Sequence, residues 1–233
     1  MRAMGLILQI DTATEIACVC LSRNGVLLGQ LANTDQKSHA SFVQPAIAQL
    51  MQQTGHELQQ LDAVAVTAGP GSYTGLRVGL SSAKGLCFAL QKPLIMLNTL
   101  EVMAASQVTV TPPAGDVLLC PMIDARRMEV FTALYNKDLQ ELSPPSALIL
   151  DEQSFAAELA AHTVVFFGSG STKWQQLIQH PHAQFSTVQH QANGMATLAW
   201  KAFQDKHFAD LAYSEPLYVK EFFTPVKPTL KGV

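Results

Sequence analysis

Residues 69–79 read Gly-Pro-Gly-Ser-Tyr-Thr-Gly-Leu-Arg-Val-Gly, and the four glycines in this run restrict what can surround it. The apolar run from Ala63 to Ala68 before it reads as a buried strand, and the segment from about Thr74 to Leu90 after it reads as a helix. Strand, glycine turn and helix N-terminus in that order make either a tight corner or an anion cradle. Glycine lets backbone approach a neighbour closely, and the first turn of a helix leaves N–H groups unsatisfied. The standard nucleotide fingerprints do not fit. No Gly-Lys-Ser/Thr triplet occurs, and the third glycine falls one residue late for Gly-x-Gly-x-x-Gly. The next strand ends at Leu97-Asn98 with no acid placed to grip a ribose. The corner reading is therefore favoured over phosphate binding.

The rest of the chain reads as alternating strands and helices around that corner. Leu6 to Ile10 is an apolar strand ending at Asp11-Thr-Ala-Thr14. Strands from Ile16 to Leu21 and Val26 to Leu31 flank Asn24-Gly25, a strong hairpin signal. Helical spacing runs from Ser38 to about Thr54, and Pro45 inside it predicts a kink or irregular early turns. A strand from Pro93 to Leu97 and a helix from Thr99 to about Ser106 follow. Val108 to Gly115, with two prolines, reads as a linker. The plan then restarts with an apolar strand from Val117 to Asp124, again ending in aspartate. Strands at 128–135 and 147–150, a helix at 152–161 and a strand at 163–167 lead to Gly168-Ser-Gly-Ser171. Helices at 172–179 and 193–203 complete the pattern. This predicts an α/β protein of two related lobes, each with a mixed sheet and flanking helices. The expected divisions are 1–107, 108–212 and a tail, 213–233, packing back on the lobes.

A chain of 233 residues easily supplies a large core, and 48% hydrophobic against 14% charged residues is apolar for a soluble protein. An apolar partner interface is the natural expectation. A net charge of −3 offers no basic field for nucleic acid, so nucleic-acid contact through Lys227 and Lys231 is expected to be weak or indirect. No apolar run reaches membrane-spanning length and no signal peptide is seen, so cytoplasmic location without membrane attachment is expected. The four cysteines, Cys18, Cys20, Cys87 and Cys120, form no Cys-x-x-Cys pair and read as small buried hydrophobes. None of the seven histidines has a partner four residues on: Val43 follows His39 at that spacing. No metal set is therefore expected.

Ile10-Asp-Thr-Ala-Thr-Glu15, the run 69–79, Lys84-Gly-Leu86, Ile123-Asp-Ala-Arg126 with Glu129-Val130, and Glu215-Pro-Leu-Tyr218 together resemble the TsaB (YeaZ) family. The resemblance implies the two-lobe actin/sugar-kinase/Hsp70 (ASKHA) fold. It implies a non-catalytic scaffold that dimerises with the catalytic relative TsaD for threonylcarbamoylation of adenosine 37 in tRNA, joined by the ATPase TsaE. No cofactor of its own is implied, with ATP and metal on the partners, and a homodimer is expected when the chain is alone. In that superfamily two strand-end aspartates hold magnesium near ATP. Here Asp11-Thr12-Ala13, with Thr14, and Asp124-Ala125-Arg126 lack the usual loop glycine, so these positions, with Gly168 and Gly170, read as vestigial nucleotide loops.

The partner interface is expected on two helices: His39, Phe42, Val43 and Ala46 on the first, and Tyr73, Gly75, Val78, Gly79, Ser82, Ala83 and Leu86 on the second. Small residues at helical spacing would let another helix approach closely, and Gly79→Leu would then break the heterodimer while leaving the monomer folded. The competing reading is packing of the glycine face on this chain's own sheet or first helix. Two other functions are weighed. A stand-alone ATPase or kinase would use Asp11, Asp124 and the 168–171 turn. A peptidase lacks both a His-Glu-x-x-His helix and a Gly-x-Ser-x-Gly elbow.

Overall fold

The computed structural model describes residues 5–188 and 192–220. Lys227 and Lys231 lie outside the described residues.

The first strand, β1 (Leu6–Asp11), is buried along its whole length, as its unbroken apolar run requires. It pairs antiparallel with β2 (Ala17–Arg23), which turns into β3 (Val26–Asn33). Asn24 and Gly25 take φ of 52° and 79°, the left-handed pair that a two-residue hairpin needs. The first helix, α1 (His39–Thr54), runs through Pro45, whose ring is exposed, and irregularity is confined to a 3-10 turn at Gln36–Ser38. Then come β4 (Ala63–Gly69), α2 (Tyr73–Leu90), β5 (Leu94–Asn98) and α3 (Thr99–Val110). Ser72 caps α2 by accepting the Gly75 N–H, and Asn98 caps α3.

The plan repeats with β6 (Val117–Asp124), β7 (Glu129–Tyr135), β8 (Glu141–Ile149), α4 (Ala156–Ala161), β9 (Thr163–Phe167), α5 (Ser171–Leu177), β10 (Ala183–Ser186) and α6 (Ala192–Gln204). The first sheet has the order β3-β2-β1-β4-β5 and the second β10-β9-β6-β7-β8. In each, the first three strands of the lobe are antiparallel and the last two join in parallel. The two mixed sheets expected from the sequence are present, and the lobes share one topology.

Several boundaries move. Helix α3 continues to Val110, so its last turn replaces the start of the expected linker. Helix α4 covers only Ala156–Ala161. Strand β8 is nine residues long and contains Pro144 and Pro145. It lies at the sheet edge, where a missing N–H breaks no ladder, and its register with β7 shifts near the prolines. The four-residue β10 was not anticipated, being too short to show a period.

The largest correction concerns the lobe boundary. Helix α6, expected within a C-terminal lobe at 108–212, packs on the first sheet. Met195, Leu198 and Ala199 share a core with Ile7, Ala63, Ala65, Ile95 and Leu97. The opposite face of that sheet carries Leu8, Ile10, Val64 and Val66 against α1 and α2. Helix α3 serves both lobes. Its Val102 and Ala105 join the first core, while Leu100, Met103 and Ala104 pack with Leu119, Ile123 and Phe167 of the second sheet. Trp174 of α5 fills the other face of the second sheet, edge-on to Phe155 and Phe166.

Candidate functional site

Two features stand out: a cleft between the lobes, and the outward face of α1 and α2. At the cleft, Asp11 ends β1 and is 1% exposed. Its Oδ1 accepts from Thr67 Oγ1 at 2.6 Å and from the Ala13 N–H at 2.9 Å, which commits this oxygen inside the first lobe. Thr12 Oγ1 donates to Gly75 O at 2.6 Å, and Ser72 N donates to Ala13 O at 2.7 Å. The Asp-Thr-Ala-Thr loop is thus stitched to the glycine loop. A Cβ at Gly71 would meet Ala13 O, one at Gly75 would meet Thr12 O, and one at Gly79 would meet Thr12 Oγ1 and Val66. The glycines are the condition for that close approach.

Across the cleft, Asp124 ends β6. Its Oδ1 accepts from the Arg126 N–H at 2.6 Å and from Lys173 Nζ at 2.7 Å. Partial burial pushes its pKa up, but the Lys173 hydrogen bond, the Arg126 N–H and the lysine charge together outweigh that and hold it below the usual aspartate value. Lys173 Nζ also reaches Glu129 O at 3.4 Å. Gly168 takes φ of 92° beneath Met103 and Met122 O, and the Gly170 N–H donates to Met122 O. A cavity of about 530 Å³ opens between the lobes, lined among others by Thr14, Met103, Ile123, Gly168 and Phe185. A second, of about 430 Å³, is lined by Thr14, Glu15, Ser72, Asp124 and Arg126. The cleft thus gathers Thr14, Asp124, Arg126 and Gly168, while Asp11 and Thr12 are turned into packing beneath the glycine loop. Lys173 was missed: it is one lysine on a short helix, and only the fold brings it to Asp124.

The expected interface residues separate by depth. Val43, Ala46, Gly75, Gly79 and Ala83 are buried in this chain's own core, and His39 is 5% exposed. Phe42, Val78 and Leu86 are half-buried against that core, and Ser82 is half-buried too. Tyr73 is exposed and its ring lies 5.4 Å from that of Tyr218, tilted by 36°. The small-residue face therefore points inward, and the competing reading of self-packing holds for Gly75 and Gly79. The expected effect of Gly79→Leu is corrected with it, because the new side chain would enter this chain's own β1–β2 loop. The outward face lies nearly half a turn away: Ser41, Gln44, Pro45 and Ala48 on α1, and Arg77, Ser81, Gly85 and Phe88 on α2. Phe88 is 79% exposed, and nothing lies within 4 Å of a Cβ placed on Gly85. Helix α1 carries no Asp, Glu, Lys or Arg at all.

Two mixed sheets of one topology, joined by shared helices around a cleft, define an actin-like protein of the ASKHA class. The family described as tRNA N6-adenosine threonylcarbamoyltransferase (TsaD) matches residues 27–221. The chain is 30% identical to the tRNA threonylcarbamoyladenosine biosynthesis protein TsaB of Bacillus subtilis strain 168 over 74% of its own length and 75% of that protein. It is 27% identical to TsaB of Haemophilus influenzae over 94% of both chains. The solved structure of YeaZ from Pseudomonas aeruginosa superposes with a TM-score of 0.77 at 27% identity, covering 92% of this chain and 100% of that one. The chain belongs to the TsaD-type family and, within it, to the TsaB (YeaZ) branch. No helix among the described residues is long and apolar enough to cross a membrane.

Proposed function

We propose that this chain is a non-catalytic subunit of tRNA threonylcarbamoyladenosine biosynthesis, which docks through α1 and α2 onto its TsaD-type catalytic relative. The observation that carries this reading is the outward face of that helix pair. It presents small and amide side chains, no carboxylate, Arg77 as its one cation among the residues named, and an exposed Phe88. A charge-depleted helical surface with an aromatic anchor suits a protein partner better than water. A like-folded partner would present a similar pair and close a four-helix contact. The same face would serve a homodimer when the relative is absent. TsaE joins through the TsaD complex, tRNA contact is indirect, and ATP and metal belong to the partners.

The cleft supports the non-catalytic half of the reading. Lys173 neutralises Asp124, and Oδ1 of Asp11 is spent on Thr67 and Ala13. A second reading, a stand-alone ATPase or kinase, is favoured by the 530 Å³ cavity between the lobes. Calorimetry with ATP separates the two: affinity of the isolated chain that is lost in Asp124→Ala supports the ATPase. The test of the first reading is co-expression with the TsaD relative and light scattering after size exclusion. A one-to-one complex, required with TsaE, ATP, threonine and bicarbonate for tRNA modification, is the expected result. A chain that stays apart as a folded monomer overturns it.

A further inference from the structure

The Glu215-Pro-Leu-Tyr218 motif meets the helix pair only where Tyr218 lies beside Tyr73, and it belongs to an irregular segment tethered at several points. After α6 the chain returns to the first sheet, where Ala209 N donates to Leu94 O at 2.8 Å, extending the β5 edge by one bridge. It then runs beside α2 in the opposite direction. Lys84 Nζ donates to Ala212 O and Ser214 O at 3.2 and 3.1 Å. Further on, Leu217 N donates to Ala68 O at 2.7 Å. Gly69, at φ of 122°, makes room for this approach, since a Cβ there would meet Leu217 O. Arg77 Nε donates to Tyr218 OH at 3.2 Å while its guanidinium lies 4.0 Å from the Tyr73 ring centre. Up to this point every anchor belongs to the first lobe.

The last described residue leaves it. Lys220 Nζ donates to both carboxylate oxygens of Glu129, on β7 of the second lobe, at 2.6 and 2.8 Å. Glu129 is also where Lys173 reaches the backbone, so the 124–129 loop is held by one lysine of its own lobe and one brought across by the segment.

We infer that residues 209–220 are an interlobe strap that sets the width of the cleft, with the Lys220–Glu129 ion pair as its clasp. The strap is fixed along α2 and over the start of the glycine loop, so the second lobe cannot swing outward on that side while the clasp holds. The cleft of this chain is then held at one width by its own segment. The clasp is open to water on its Lys220 side, so it loosens as ionic strength rises. The inference concerns the chain by itself and stands apart from the partner reading.

Hydrogen–deuterium exchange of the isolated full chain tests it. Lys220→Glu, at an exposed side chain, and Glu129→Lys, at one that is 17% exposed, are each expected to raise exchange about threefold in 124–131 and 209–218, the usual worth of a pair open to water. The double swap, Lys220→Glu with Glu129→Lys, is expected to restore protection, and 1 M salt to reproduce the single variants. Leu217→Pro, which removes the N–H given to Ala68, is expected to raise exchange in both regions without touching the clasp. Unchanged exchange in the single variants, or a double swap that stays loose, overturns the inference.

Discussion

Gly79 and Thr12 set the tightest constraint at the scale of single residues. A side chain at 79 must displace either Thr12 Oγ1, which is donating to Gly75 O, or Val66 in the sheet. Overpacking of this kind typically costs 1–3 kcal/mol. Gly79→Leu is therefore expected to lower the thermal midpoint of the isolated chain by several degrees, at roughly 2–4 °C per kcal/mol for a protein of this size. An unchanged midpoint would mean that the helix can lift off the loop freely. Lys173 offers a second test. The folded pKa of Asp124 is depressed, so its ion pair contributes stability above the ordinary aspartate value of about 3.9 and loses it as pH falls through the lower folded value. Lys173→Met removes the strongest lowering partner. The Asp124 carboxyl, followed by NMR, should then titrate at higher pH than in the parent chain.

Helix α2 shows at the element scale how far sequence alone reaches. Its existence, start and length were legible from the 3.6-residue period and the strand–glycine–helix order. Its orientation was not. A spacing of four residues between Gly75 and Gly79 says that one face is small, but a small face suits contact with another protein and contact with one's own loop equally well. Only the position of Thr12, 63 residues before Gly75, decides. The strand at 141–149 was partly hidden for a different reason. Pro144-Pro145 is a breaker by local propensity, and the edge position that makes it harmless is a property of the whole sheet. The positions Thr14, Asp124, Arg126 and Gly168 could be singled out in advance because each lies at, or within three residues after, the end of an apolar strand. With the outward face corrected, Phe88→Glu is expected to weaken association with the TsaD relative by about 30-fold or more, as loss of an interface anchor does. Its folding stability should stay within about 0.5 kcal/mol of the parent, as for other exposed positions. Titration calorimetry and a melting curve read the two quantities separately, and unaltered affinity would move the docking face elsewhere.

The lobes are not independent at the scale of the whole molecule. Helix α3 contributes side chains to both cores, and α6 leaves the second lobe to cover the first sheet. Heat should therefore unfold the chain in a single transition, with calorimetric and van't Hoff enthalpies equal. Two resolved steps would show that the shared helices couple the lobes only loosely.

That return of α6 has a consequence for the order of events on the ribosome. Strand β5 completes the first sheet at Asn98, yet the apolar surface of Ile7, Ala63, Ala65, Ile95 and Leu97 gains its second helix only once Gln204 has been made. At roughly 5–20 residues per second the nascent chain waits on the order of 5–20 s with that surface only partly covered. The earliest strands to emerge are thus among the last to be sealed, and they are the part of this protein that an attending chaperone would shield.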